Sequence, residues 1–153
     1  MLIMRKTYEQ KFNTHDQAEV KETDKGRMVI PAVRDYDDLM KKVPMGSLTT
    51  SAEIREELAK TYNADFCCPL VTGIFINIVA GKAEEDISIR GVSTDQITPY
   101  WRTLRSGGEL NPKFPGGIEG HAEKLVSEGW KIENDRRGKP KKVHNYEQHL
   151  VKF

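Results

Sequence analysis

Hydrophobic residues recur at helical spacing in three parts of the chain, and short extended runs separate them. Over residues 34–43, Tyr36, Leu39, Met40 and Val43 share one face. Asp35 is placed as the N-cap, Asp37 and Asp38 fall in the first turn where the helix dipole favours acids, and Lys41 and Lys42 fall in the last. Pro44-Met45-Gly46 stops this helix. Thr50 and Glu53 have capping-box spacing, so a second helix begins at Ser51 and buries Ile54, Leu58 and Tyr62. Asn63-Ala64-Asp65 then reads as a turn, with Asp65 capping a nearly apolar helix over residues 66–81. Helix, polar turn and helix together make a helix-turn-helix pattern, which any helical hairpin also satisfies. The last amphipathic helix spans residues 118–128, with Ala122, Leu125 and Val126 inward and Gly129 as its stop.

The remaining segments read as extended or loop. Met28-Val29-Ile30 is a short extended run ended by Pro31, and the residues before it show no convincing period. Residues 97–110 predict a short strand entering through Pro99, then a tight Ser106-Gly107-Gly108 turn into another extended piece. The C-terminal residues 146–153 are expected to dock back through Leu150, Val151 and Phe153.

Composition narrows the function classes. The 153 residues suit one domain, and a net charge of +1 gives no global pull on polyanions, so any such contact must come from local clustering. The longest apolar run, Leu70 to Ala80, is far short of the roughly 20 residues of a membrane span. Met1-Leu2-Ile3-Met4-Arg5-Lys6 lacks the layout of a signal peptide, and the adjacent Cys67 and Cys68 are poorly placed for a structural disulfide. These features predict a cytoplasmic, reduced protein with no membrane partner.

Candidate chemistry is sparse. Tyr100 and Trp101 stand beside Arg102 and Arg105, a combination able to stack on bases and hold phosphates; the plainer reading is an aromatic pair half in the core. Arg136, Arg137, Lys139, Lys141 and Lys142 concentrate positive charge in a segment not expected to be rigid, suited to phosphate or simply solvated. Cys67 and Cys68 read as small buried hydrophobes, or as thiols activated at a helix start. His121 reads as a surface helix residue; with His15, His144 and His149 scattered, no metal or cofactor site is expected.

With these elements in place, residues 40–130 resemble the C-terminal DNA-binding domain of the O6-alkylguanine-DNA alkyltransferases and the alkyltransferase-like proteins. Five short matches follow in the same order. They are Pro44-Met45-Gly46 through Thr49-Thr50-Ser51 to Ile54, the core motif Pro99-Tyr100-Trp101-Arg102-Thr103-Leu104, the turn Ser106-Gly107-Gly108-Glu109-Leu110, the loop Gly116-Gly117, and the helix end Glu128-Gly129. The resemblance implies an α/β fold, a winged helix-turn-helix of the alkyltransferase C-terminal type. It divides the chain into an N-terminal extension (1–31), the domain (32–133) and a basic tail (134–153).

The departures matter as much. The family's acceptor cysteine position is Tyr100 and its histidine position Trp101, leaving only Glu128 of the activating relay. A phenol with a pKa near 10 beside an indole is no activated nucleophile. The resemblance therefore implies no alkyl transfer at this motif; a residual enzymatic reading moves acceptance to Cys68. Alkyltransferase-like proteins lack the cysteine and bind alkylated DNA without repairing it. The family's base-flipping tyrosine is Ser51 here, and its intercalating arginine falls among Cys68, Pro69 and Leu70. The implied reading is a non-catalytic DNA-binding protein. Ser51, Cys68, Pro69 and Thr72 face the groove, Arg102, Arg105 and the tail cations hold phosphates, and Tyr100, Trp101 and Glu128 line the pocket. The alternative is a protein-interaction module on the same scaffold, supported by the apolar second helix.

Overall fold

The computed structural model describes residues 7–153, in which five α-helices and three small sheets surround two adjoining cores. The first helix, α1 (Tyr8–Thr14), begins with a capping box: the Thr7 hydroxyl accepts the Gln10 N–H, and the Gln10 side chain accepts the Thr7 N–H in return. A hairpin follows, β1 (Glu19–Thr23) and β2 (Gly26–Ile30), antiparallel with Val20 opposite Val29. The segment set apart above as an extension thus holds a helix and two strands. Helix α2 (Val33–Lys41) starts two residues before the expected cap. Asp35 is its third residue, and its carboxylate reaches back to accept the Ala32 N–H at 2.9 Å.

After β3 (Thr49–Thr50), helix α3 (Ser51–Thr61) starts where its Thr50 cap predicts. The next stretch corrects the expected helix over residues 66–81. Phe66–Cys67 forms β4, parallel to Met28 and Val29 of β2, and α4 runs from Pro69 to Ser88. Asp65 does not cap it. Its carboxylate instead accepts the Arg27 N–H at 2.8 Å and so fixes the β2–β4 register. Proline explains the boundary: it pushes Cys68 to extended geometry and suits the first helical position, where no N–H is needed.

Residues 100–102 form a single 3-10 turn rather than a strand, leading into β5 (Thr103–Leu104), which pairs parallel with β3. Helix α5 (Gly117–Ser127) follows, then a second hairpin, β6 (Ile132–Asn134) and β7 (Pro140–Val143). The basic segment expected to lack rigid structure is the turn and second strand of that hairpin. The chain end docks, with Leu48 exchanging backbone hydrogen bonds with His149 and Val151, but Phe153 stays exposed where it was expected to pack. One core gathers α1 to α4 around Tyr36, Met40, Phe75 and Tyr100; the other gathers Leu48, Leu104, Leu110, Leu125 and Val143, and Trp101 packs against both. No helix among the described residues is long and apolar enough to cross a membrane.

Candidate nucleic-acid interface

The motif that carries the resemblance folds inward. Tyr100 is fully buried, packs edge-on against Trp101 and Phe114, and donates its hydroxyl to Glu84 of α4 at 2.6 Å. Burial first, and then the Glu84 carboxylate, push the Tyr100 phenol well above its ordinary range. Trp101 is half-buried between two cations, 5.8 Å from the Arg102 guanidinium carbon and 5.0 Å from the Lys124 ammonium.

Arg102 is committed to the fold. Its Nε and Nη2 donate to Glu128 at 3.0 and 2.6 Å, and Nη1 donates to the Val43 carbonyl at 2.9 Å. Burial opposes ionisation of Glu128, but the Arg102 hydrogen bonds outweigh it and hold the carboxyl below its usual value. The Trp101 indole N–H lies close enough to help, though it falls short of hydrogen-bond geometry. Glu128 is therefore an anchor for Arg102, and neither side chain lines the open groove described next.

That groove, about 560 Å³, lies between α3, α4 and the loop after β5. Ser51 and Arg55 come from α3, and Pro69, Gly73, Ile76 and Asn77 from α4. Residues 103–106, Glu109 and 111–113 close the third side. Ser51 and Ser106 join across the groove mouth, with hydroxyls 3.2 Å apart. Arg105 and Lys113 are exposed at the rim and Arg55 is half-exposed, while the buried Thr103 hydroxyl has no partner. Gly108 (φ +79°) lets the loop turn back against Tyr146, whose ring occupies the space a side chain would need.

His121 holds this loop from behind. It is fully buried, not on the surface as its sequence context suggests. The Asn111 N–H donates to its Nδ1 at 3.0 Å, so the proton sits on Nε2, which donates to the Trp101 carbonyl at 2.8 Å. Burial pushes its pKa down to about 4, keeping the ring neutral.

The other expected residues divide between core and surface. Thr72 is fully buried, with its hydroxyl bonded to Tyr36 and to the Cys68 carbonyl, so it presents nothing to the outside. Cys68 is half-buried before α4, and Cys67 is a buried thiol pushed up by desolvation. Arg136, Arg137, Lys139 and Lys141 are exposed on the second hairpin, with Lys142 half-buried. The Asp135 carboxylate organises the tip by accepting the Arg137 and Lys139 N–H groups. The hairpin flanks the groove wall through two bonds, Leu110 N–H to Lys141 carbonyl and Val143 N–H to Gly108 carbonyl.

No family model and no curated protein matches the chain. Solved structures do. The chain is similar to S. pombe Atl1 in complex with damaged DNA containing O6-carboxymethylguanine, at 16% identity and a TM-score of 0.51. It is likewise similar to S. pombe ATL in complex with DNA, at 17% identity and a TM-score of 0.52. Each match covers 78% of this chain and 94% of the other. At this identity the likeness establishes the fold, a mixed α/β helix-turn-helix domain, and the hairpin fits its wing.

Arg55, Asn77 and Lys113 were not among the residues singled out from sequence. Each is an ordinary polar residue on its own element, and only the approach of three elements distant in sequence gives them a shared site.

Proposed function

We propose that this protein is a non-catalytic DNA-binding protein that recognises alkylated or otherwise damaged DNA through the groove between α3, α4 and the loop after β5. The observation that carries this reading is the groove itself. Its volume of about 560 Å³ falls within the roughly 300–1,000 Å³ range of small-ligand sites, with a buried, unpartnered hydroxyl at Thr103 and basic side chains at its rim. Arg55, Arg105 and Lys113 suit the phosphates around an extruded base, and the hairpin cations Arg136 to Lys142 extend the basic strip. That structures of similar fold carry DNA, one of them damaged, supports the reading.

The chemistry at the motif supports a reading without catalysis. Tyr100 presents a buried, donor-committed phenol where an acceptor would need an exposed anion.

A second reading, a protein-interaction module, draws on Leu70 and Ile74, which stand 73% and 49% exposed one turn apart on α4. Fluorescence-anisotropy titrations against a plain duplex and a matched duplex carrying O6-methylguanine, across a salt series, separate the readings. Preference for the lesion is the expected result. Equal, salt-sensitive binding would reduce the function to general DNA binding, and no binding at low salt would leave the interaction module.

A further inference from the structure

Beside the groove, on an adjoining face of α4, lies a second cavity of about 520 Å³, walled by Tyr8, Lys11 and His15 of the α1 region, Ile74 and Asn77 of α4, and Lys113. None of its lining residues is acidic. Lys41, Lys60, Lys82 and Lys124 each meet a carboxylate, whereas Lys11 and Lys113 meet none among the described residues. In a chain of net charge +1, two unpaired ammonium groups beside an imidazole are a local bias toward an anion.

The side chains are carried on a fixed frame. Glu85 of α4 accepts the Tyr8 and Glu9 N–H groups at 2.8 and 3.1 Å, and Arg90 grips Glu9 at 2.7 Å. Lys11 lies over the Tyr8 ring at 4.9 Å, and the His15 ring packs on Phe75 at 4.9 Å. Lys113 is set through Asn111, whose side-chain carbonyl accepts the Lys113 N–H while its amide donates to Asn77. Lys113 and Asn77 line both cavities, so the two basic sites adjoin along α4.

We propose that this second cavity binds backbone phosphate of the DNA held at the groove, which makes α1 part of the DNA-binding surface; the inference rests on the function proposed above. The groove and this cavity then form one continuous basic surface along α4, meeting at Asn77 and Lys113. Because phosphates carry no sequence or lesion information, this contact adds affinity without adding discrimination.

The test compares the wild type with Lys11→Gln, which alters the second cavity and not the groove, on plain and O6-methylguanine duplexes across a salt series. The expected result is binding weakened several-fold on both duplexes alike, an unchanged lesion ratio, and a log–log salt slope lower by about one. Lys11→Glu, a second substitution at the same site, is expected to weaken both duplexes further and equally. Wild-type affinity and slope in these variants would overturn the inference while leaving the groove reading intact. A wild-type protein that binds no DNA would overturn both.

Discussion

The Tyr100–Trp101–Arg102 motif and the groove wall that begins at Thr103 are contiguous in the chain and differ in how their polar groups are used. In the motif the hydroxyl and guanidinium donors have internal partners: Tyr100 has Glu84, and Arg102 has Glu128 and the Val43 carbonyl, while the Trp101 indole N–H alone goes without one. In the groove, Arg105 and Lys113 point to solvent and the Thr103 hydroxyl has no partner. Satisfied groups hold a structure together; unsatisfied ones are available to a ligand. The most conspicuous residues of the sequence therefore belong to the scaffold, and the proposed recognition surface is made from less conspicuous ones.

Substitutions sharpen that contrast. Glu128→Ala leaves the Arg102 guanidinium buried without its counter-charge and is expected to cost about 3–5 kcal/mol in a urea or thermal melt. Acid offers a milder probe of the same scaffold. His121 titrates near 6.5 when unfolded and near 4 when folded, so only the unfolded chain takes the proton between those values. Stability is thus expected to fall by about 3 kcal/mol as pH drops from 6.5 to 4, read from urea midpoints. Glu128, with its depressed folded pKa, contributes a further loss that begins near the ordinary carboxylate range.

Tyr100→Phe removes the donor from Glu84 and is expected to cost about 1–3 kcal/mol without changing DNA affinity. A changed affinity at constant stability would place Tyr100 in the site after all. Arg105→Gln should do the reverse: stability within about 0.5 kcal/mol of wild type, but a salt slope lower by about one on any duplex.

Local signals in the sequence were reliable wherever one element decided its own fate. Thr50 and Glu53 start α3 because the cap is satisfied within one turn, and Gly129 follows the end of α5 in a left-handed conformation. Phe66-Cys67-Cys68 was illegible because a short apolar run suits either a strand or a helix, and the deciding partner, β2, is 38 residues away. Helix α1 was missed although Thr7 and Gln10 carry the capping-box spacing, since Phe12 is its only buried residue and gives no apolar period. His121 was misplaced for a related reason: its burial depends on Asn111 and Trp101, which sequence spacing does not bring together. The likeness in fold was readable from five ordered fragments, whereas the groove's Arg55, Asn77 and Lys113 needed the tertiary structure.

Gly81 gives this architecture a close approach between an aromatic ring and a helix backbone. It lies in the middle of α4 beneath the Tyr8 ring, so close that even a methyl group there would occupy the space of the ring itself. The smallest enlargement, Gly81→Ala, would act as a wedge: the Tyr8 ring would have to leave its seat on α4 while the helix beneath gained propensity. One hydrogen atom in place of a methyl thus lets that ring lie on α4, while Phe12 and the Glu85 and Arg90 contacts hold the rest of the amino-terminal helix.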